Sequence, residues 1–361
     1  MVNKSSRSSL DPHTVAVVSG KGGSGKTMIA AALAQALSES GVRVLLVDAD
    51  LGTGGLTYYL GFSAFERTRR GLTEYLIAKQ ASQPLHFGVP RPEILKKKPY
   101  LDKMSFLPVG EHRIVARHTD WITKSAITRV ITKTRGKFDV VIFDCRGGLD
   151  DDSIATCSAV KDVILVVETD AASIQATQYL TDQLRHLGVS NKIAGFVLNK
   201  VMDDPSSLAT ASTSFFGAQH LGSIPFDIET TRKFIKGELP DSESLFFRNT
   251  AAALMPLFSE GEAGTKYRPL KPSEFNNISI SNPEGGIGGL LIGITSFYAI
   301  AAYLFVRFVA DVTFTDFYHN IAFGGMVSLL AASLSDPFRQ FLGRMMRGYA
   351  AVLGASVMRK R

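Results

Sequence analysis

A chain of 361 residues with 45% hydrophobic side chains has ample material for a core, and its length suits one large domain with an appendage or two domains. Its two cysteines, Cys145 and Cys157, exclude a disulfide scaffold and suit a reducing compartment. The net charge of +7 is unevenly spread: residues 285–361 hold seven basic and three acidic side chains, so much of the excess sits in an otherwise apolar tail, which argues against a general nucleic-acid-binding surface.

Residues 1–11 carry Lys4 and Arg7 with no apolar stretch after them, so they read as a short disordered arm and not as a signal peptide. Ordered structure is expected to start with a buried strand, VAVV at 15–18, and to continue through Gly20-Lys21-Gly22-Gly23-Ser24-Gly25-Lys26-Thr27 into a helix beginning MIAAALA at 28–34. The loop between them has the spacing G-x-x-x-x-G-K-[ST] of a phosphate-binding loop. Glycine lets backbone close around phosphates, so the N–H groups of Gly22, Gly23, Ser24 and Gly25 are expected to cradle them, helped by the positive end of the following helix. Lys26 is then expected on the β- and γ-phosphates, and the Thr27 hydroxyl on Mg2+. This chemistry is that of a nucleotide triphosphatase.

Further apolar runs at 44–47, 106–107, 140–143, 163–167, 193–198 and 221–224 alternate with longer amphipathic stretches up to about residue 258. The pattern predicts an α/β fold over 12–258: a doubly wound, mostly parallel sheet flanked by helices, which binds ligands at the carboxyl ends of its strands. Acids stand where such strands end. Asp48 and Asp50 close the second run and, two residues apart, would point the same way if the strand persisted. Asp144 closes the run FDVVIF and, given the phosphate loop upstream, is expected to hold Mg2+ through water.

Composition changes at 259–284, where Gly, Pro, Ser and Asn dominate without periodicity, and a linker is expected. Residues 287–309 then give 23 positions whose only charge is Arg307. As a helix they would span roughly 34 Å, enough for a hydrocarbon core of ~30 Å. A shorter apolar stretch at 321–334 is expected to return, forming an α-helical transmembrane hairpin over 285–336, with small residues at Gly285, Gly289 and Gly293 and at Gly324, Ser328 and Ala332 allowing close packing. The connection is acidic, and residues 337–361 mix Arg339, Arg344 and Arg347 with Phe338, Phe341 and Met345 as a basic amphipathic tail. The positive-inside rule places both ends of the hairpin in the cytoplasm, so the expected location is multi-pass in the cell inner membrane with the nucleotide domain cytoplasmic.

The run Lys21-Gly22-Gly23-Ser24-Gly25-Lys26-Thr27, with its early lysine, resembles the deviant Walker A loop of the MinD/ParA ATPases. The resemblance covers about residues 12–258. It implies ATP and Mg2+ as ligands, Lys26 acting on its own chain's nucleotide, and Lys21 reaching the partner's nucleotide across an ATP-sandwiched homodimer. It further implies that Asp50 orients the attacking water while Asp48 supports the metal and lysine network. Gly148, in Cys145-Arg146-Gly147-Gly148, stands where the family's switch glycine senses the γ-phosphate. Arg146 departs from the proline common there. Asn199, in Leu198-Asn199-Lys200, resembles the family's adenine reader, and Pro225, in Gly222-Ser223-Ile224-Pro225-Phe226-Asp227, lies where its base-flanking proline does.

The family implies a slow ATPase that dimerises with ATP and separates after hydrolysis. With a membrane hairpin attached, the expectation is a membrane-anchored ATPase that controls assembly, positioning or recruitment of an unidentified protein partner at the cytoplasmic face of the lipid bilayer. One alternative is an ATP-gated membrane effector or signalling protein. Another is a bacterial tyrosine kinase, less favoured because Tyr349 is the only tyrosine in the last forty residues. DNA binding through Lys96-Lys97-Lys98 or Arg67, Arg69 and Arg70 is not favoured, since short basic runs are usually solvated loops.

Overall fold

The structure, a computed structural model, describes residues 11–65, 70–78, 84–110, 123–148, 150–258 and 270–275. Seven strands, β1 (His13–Ser19), β2 (Val44–Ala49), β3 (Met104–Leu107), β4 (Val140–Gly147), β5 (Asp162–Glu168), β6 (Ile193–Val201) and β7 (His220–Pro225), form one sheet in the order β3-β2-β4-β1-β5-β6-β7. Every pairing is parallel. Each of the seven apolar runs becomes a strand, and each is lengthened by a residue or more at one or both ends.

The helices are α1 (Lys26–Glu39), α2 (Gly55–Ser63), α3 (Leu72–Ala78), α4 (Pro92–Lys97), α5 (Lys124–Thr134), α6 (Asp151–Ala159), α7 (Ala171–His186), α8 (Ser206–Phe216), α9 (Ile228–Ile235), α10 (Leu245–Leu254) and α11 (Pro272–Phe275). They cover both faces of the sheet, which is why its strands carry no polar alternation. On β1, Val15 and Val17 pack into the layer holding α1 and α10, whereas Ala16 and Val18 face the layer holding α5 and Leu180 and Leu184 of α7. Ile29, Leu33, Leu37 and the intervening alanines of α1 are all buried. A helix apolar on nearly every side must lie inside, and its small alanines let it approach the sheet closely. This packing sets the start of α1 directly behind the phosphate loop.

Residues 270–275 correct one expectation. They fall within the stretch 259–284 expected as a linker, yet they form α11, bury Phe275 and bring Leu270 against the same core layer. The Leu270 backbone N–H donates to Asn249 Oδ1 at 2.9 Å. Two apolar side chains and one buried acceptor thus outweigh the local Gly, Pro and Ser content. Phe275→Ala is expected to lower unfolding free energy by about 3 kcal/mol, as buried Phe truncations do; urea denaturation measures it.

No helix among the described residues is long and apolar enough to cross a membrane. The arm at 1–10, the hairpin at 285–336 and the tail at 337–361 lie outside the described residues. Arg67 and Arg69 lie outside them as well. Of the basic run at 96–98, Lys98 is half-buried, and burial lowers its pKa against the raising pull of Asp241, Glu39 and Glu238.

Candidate nucleotide site

β1 and α1 are joined by Gly20 to Gly25, and two features hold the turn closed. A side chain at Gly20 would meet the backbone of Ala176 at 2.1 Å, so the loop begins pressed against α7. Gly25 sits at φ 90° as the N-cap of α1, and a Cβ there would meet Asn199 Nδ2 at 2.3 Å. α6, α7 and α9 are capped by Asp150, Asp170 and Asp227, but α1 has no side-chain cap and no acid in its first turn. Its first N–H groups and the positive end of its dipole therefore remain available to an anion.

Lys26, at the first position of α1, is buried to 6% exposure. Near it lie two fully buried carboxylates on adjacent strands: Asp48 of β2 and Asp144 of β4 occupy the same register position. Burial is the main cause that pushes Asp144 up to about 7, the Asp48 charge adds to it, and Lys26 and a hydrogen bond from Thr27 oppose it. Asp48 is pushed up to about 6, again chiefly by burial, against hydrogen bonds from Thr57 and Asp50. Asp144 Oδ1 has no hydrogen-bond partner. A buried unpaired carboxylate oxygen beside a second acid and the Thr27 hydroxyl is an oxygen donor set that fits a hard divalent cation. Among the described residues no group of three or more His, Cys, Asp or Glu could hold a metal ion.

Asp48 is also held by hydrogen bonds. Its Oδ2 accepts from the Thr57 backbone N–H at 2.7 Å and the Thr57 hydroxyl at 2.6 Å, and its Oδ1 from the Asp50 N–H at 3.1 Å. Thr57 Oγ1 in turn accepts from the Val109 N–H at 2.8 Å. The parallel orientation expected of Asp48 and Asp50 is not found. β2 ends at Ala49, and Asp50 turns to accept from the backbone N–H and hydroxyl of Thr53 three residues on, a local turn that leaves it half-exposed.

β4 runs on to Gly147, so close to the phosphate loop that a Cβ there would meet Gly22 Cα and the Lys21 carbonyl at 2.8 Å each. Gly148, at φ 113°, donates its N–H to the Ser19 carbonyl at 3.0 Å. The amide expected to sense phosphate is thus engaged by β1 in this structure. Arg146 is exposed, with its guanidinium near Gly52 in the turn after Asp50.

A cavity of about 310 Å³ runs from Gly25, Lys26 and Thr27 past Asn199 and Pro225 to Tyr59 and Phe234. Asn199 is buried. Its Nδ2 donates to the Ser24 carbonyl at 2.7 Å, and its Oδ1 has no partner. The unpartnered acceptor suits an exocyclic amino group, as on adenine.

Lys21 lies at the mouth, its side chain 40% exposed. Nζ contacts Asp170 Oδ2 at 3.2 Å and Glu168 Oε2 at 3.3 Å, which raise its pKa, Asp170 the more. Glu168 also pairs with Lys200, whose Nζ donates to the Gly23 carbonyl at 2.7 Å. Glu168, Asp170, Lys200 and Thr57 escaped sequence reasoning. The available signal was position: Glu168 and Lys200 stand at carboxyl ends of neighbouring strands.

An uncapped helix behind a glycine loop, a lysine and paired acids at the carboxyl edge of a parallel sheet define a P-loop nucleoside triphosphatase. The model of the CobQ/CobB/MinD/ParA nucleotide binding domain matches residues 15–240, and the chain belongs to that family. It is 26% identical over 231 residues to a putative septum site-determining protein MinD of Oltmannsiellopsis viridis, covering 63% of this chain and 68% of that protein. It is 25% identical over 238 residues to the antiactivator FleN of Pseudomonas aeruginosa, covering 62% and 77%. The solved structure of the Pyrococcus furiosus cell division ATPase MinD superposes with a TM-score of 0.54 at 25% identity, covering 68% of this chain and 99% of that one. The chain is accordingly an ATPase of this family, with ATP as its nucleotide and Mg2+ as its metal.

Proposed function

We propose that the protein is a membrane-anchored association switch: it dimerises with ATP, hydrolyses it slowly, and so controls recruitment or positioning of a protein partner at the cytoplasmic membrane face. One observation carries this reading. Lys21 is half-exposed, held by carboxylates of its own chain at the mouth of the site, and so can reach outward to a second copy. Its charge, delivered only on dimerisation, would stabilise the negative charge that builds on the phosphates during hydrolysis. The septum-site and antiactivator relatives support a regulatory output, and the apolar segment at 287–309 supports the anchor.

In this reading the N–H groups of Gly22 to Gly25 bind phosphate, Lys26 neutralises it, and Asn199 orients adenine with Pro225 flanking the base. Asp50 leaves its Thr53 partners to orient water, and Gly148 exchanges its Ser19 partner for the γ-phosphate. Thr27, Asp48 and Asp144 would hold Mg2+, which when bound neutralises charge on the β- and γ-phosphates. Confinement of both copies to one membrane raises their effective concentration.

Asp50→Ala is expected to slow turnover by roughly a hundredfold while trapping the ATP dimer. Light scattering of the full-length chain with ATP and Mg2+ should show a persistent dimer for the variant and a transient one for the wild type. A variant that stays monomeric in ATP, or resistance of neither form to carbonate extraction from membranes, removes the dimer or the anchor from this reading.

A further inference from the structure

Lys200 is the one described residue other than glycine with positive φ, at 57°. A left-handed lysine is uncommon, and such backbone persists only where neighbours enforce it. Here the enforcement is visible. Between β6 and β7 the register passes from Leu198 opposite Ser223 to Val201 opposite Pro225, so three steps on one strand match two on the other. The extra residue is a bulge at Asn199 and Lys200.

In an unbroken strand these two side chains would project to opposite faces. The bulge sends both to the phosphate loop, where they seize consecutive carbonyls: Asn199 Nδ2 holds Ser24 O, and Lys200 Nζ holds Gly23 O, each at 2.7 Å. Peptide units are planar and trans, so a carbonyl fixed toward β6 turns the N–H of the next residue the other way. Holding Gly23 O orients the Ser24 N–H, and holding Ser24 O orients the Gly25 N–H. Both lysine bonds, to Gly23 O and to Glu168, are charge-assisted.

We propose that Lys200 is a positioning residue for nucleotide binding, which from its left-handed bulge fixes the Gly23–Ser24 peptide so that the loop presents its N–H groups to phosphate. It acts through the loop and leaves the reacting atoms to other groups. The inference rests on the chain being an ATPase and is independent of dimerisation or anchoring. Because the oriented amides serve phosphates common to both nucleotides, ATP and ADP depend on Lys200 alike.

The test uses Lys200→Gly and Lys200→Met in the full-length chain, with Mg-ATP and Mg-ADP as probes in calorimetry. Glycine adopts φ 57° without strain, so Lys200→Gly removes the amine and keeps the bulge. The expected result is a Kd raised roughly tenfold for both nucleotides in both variants, the effect of one charge-assisted hydrogen bond. KM for ATP rises with it while kcat at saturation stays within about twofold, and the nucleotide-free Tm of the glycine variant stays within about 2 °C of wild type. Wild-type affinity in Lys200→Gly overturns the proposal. So does a nucleotide-free Tm that falls in step with the lost affinity, since that is the mark of a purely structural residue. ADP binding requires no dimer, so failure of the association switch leaves this test standing, and its own failure leaves the switch intact.

Discussion

Replacing Asp144 by Asn cuts Mg2+-dependent ATP turnover by roughly a hundredfold or more, and at the same time makes the nucleotide-free protein more stable at pH 8, by on the order of 2 kcal/mol. The first effect follows from replacing a carboxylate that, among the described residues, has a buried oxygen with no protein partner by a neutral amide. The second follows from the neighbour across the strand. Asp48 and Asp144 are buried side by side, and the folded protein retains their protons to about 6 and about 7, while the unfolded chain releases them near ~4. Between these limits the folded state binds more protons than the unfolded one, so stability without nucleotide is greatest at the acid end and falls as pH rises from about 4 toward 7. Asn carries no charge at any of these pH values and flattens that slope. Thermal unfolding of wild type and variant without nucleotide, at pH 5 and pH 8, measures both the slope and its loss. A wild-type stability that rises across this interval would contradict the assignment of two buried acids that the folded state holds protonated.

Lys21→Ala is expected to abolish turnover, again by roughly a hundredfold or more, while the affinity of a single chain for ATP changes by less than about threefold. The split arises because Lys21 and Lys26 share one loop and occupy different environments. Lys26 is buried at the start of α1, whereas the Lys21 ammonium is at the mouth, paired with Asp170 and Glu168. Those acids raise the lysine pKa, so it stays charged throughout the physiological range and its release is a change of partner and not of protonation. Titration with ATP at chain concentrations too low for dimerisation separates the alternatives. A large loss of affinity there would show that Lys21 serves its own nucleotide.

Much of this arrangement was legible in the chain because the sheet is covered on both faces. Burial on two sides demands uninterrupted Val, Ile and Leu, and VVIF at 140–143 or VILVV at 163–167 leaves no polar alternation to confuse with a surface strand. The phosphate loop was equally plain, since its glycines answer to backbone conformation and close contact, which spacing records. Arrangements set by tertiary contact left weaker marks. Asp48 and Asp50 have the spacing of neighbours on one strand face, but the strand stops between them and Thr53 draws Asp50 into a turn. Nothing in Leu198-Asn199-Lys200 announces a left-handed lysine, because lysine has no intrinsic preference for that region and the register shift against β7 imposes it. Phe275 lies among residues of linker composition, and only the apolar layer waiting for it makes the segment ordered.

The two side chains that clamp the phosphate loop stand 175 and 177 positions downstream of the carbonyls they hold. Such contacts close long loops and, in a polypeptide emerging from its N-terminus, cannot form until β6 has been made. A nascent chain that has produced β1, the loop and α1 therefore owns the complete motif without its working shape. It acquires that shape only when β6 enters the sheet beside β5. Nucleotide capture is thus a property of the finished sheet, and a fragment ending before residue 199 would carry every glycine and both lysines of the motif and lack the bonds that aim them.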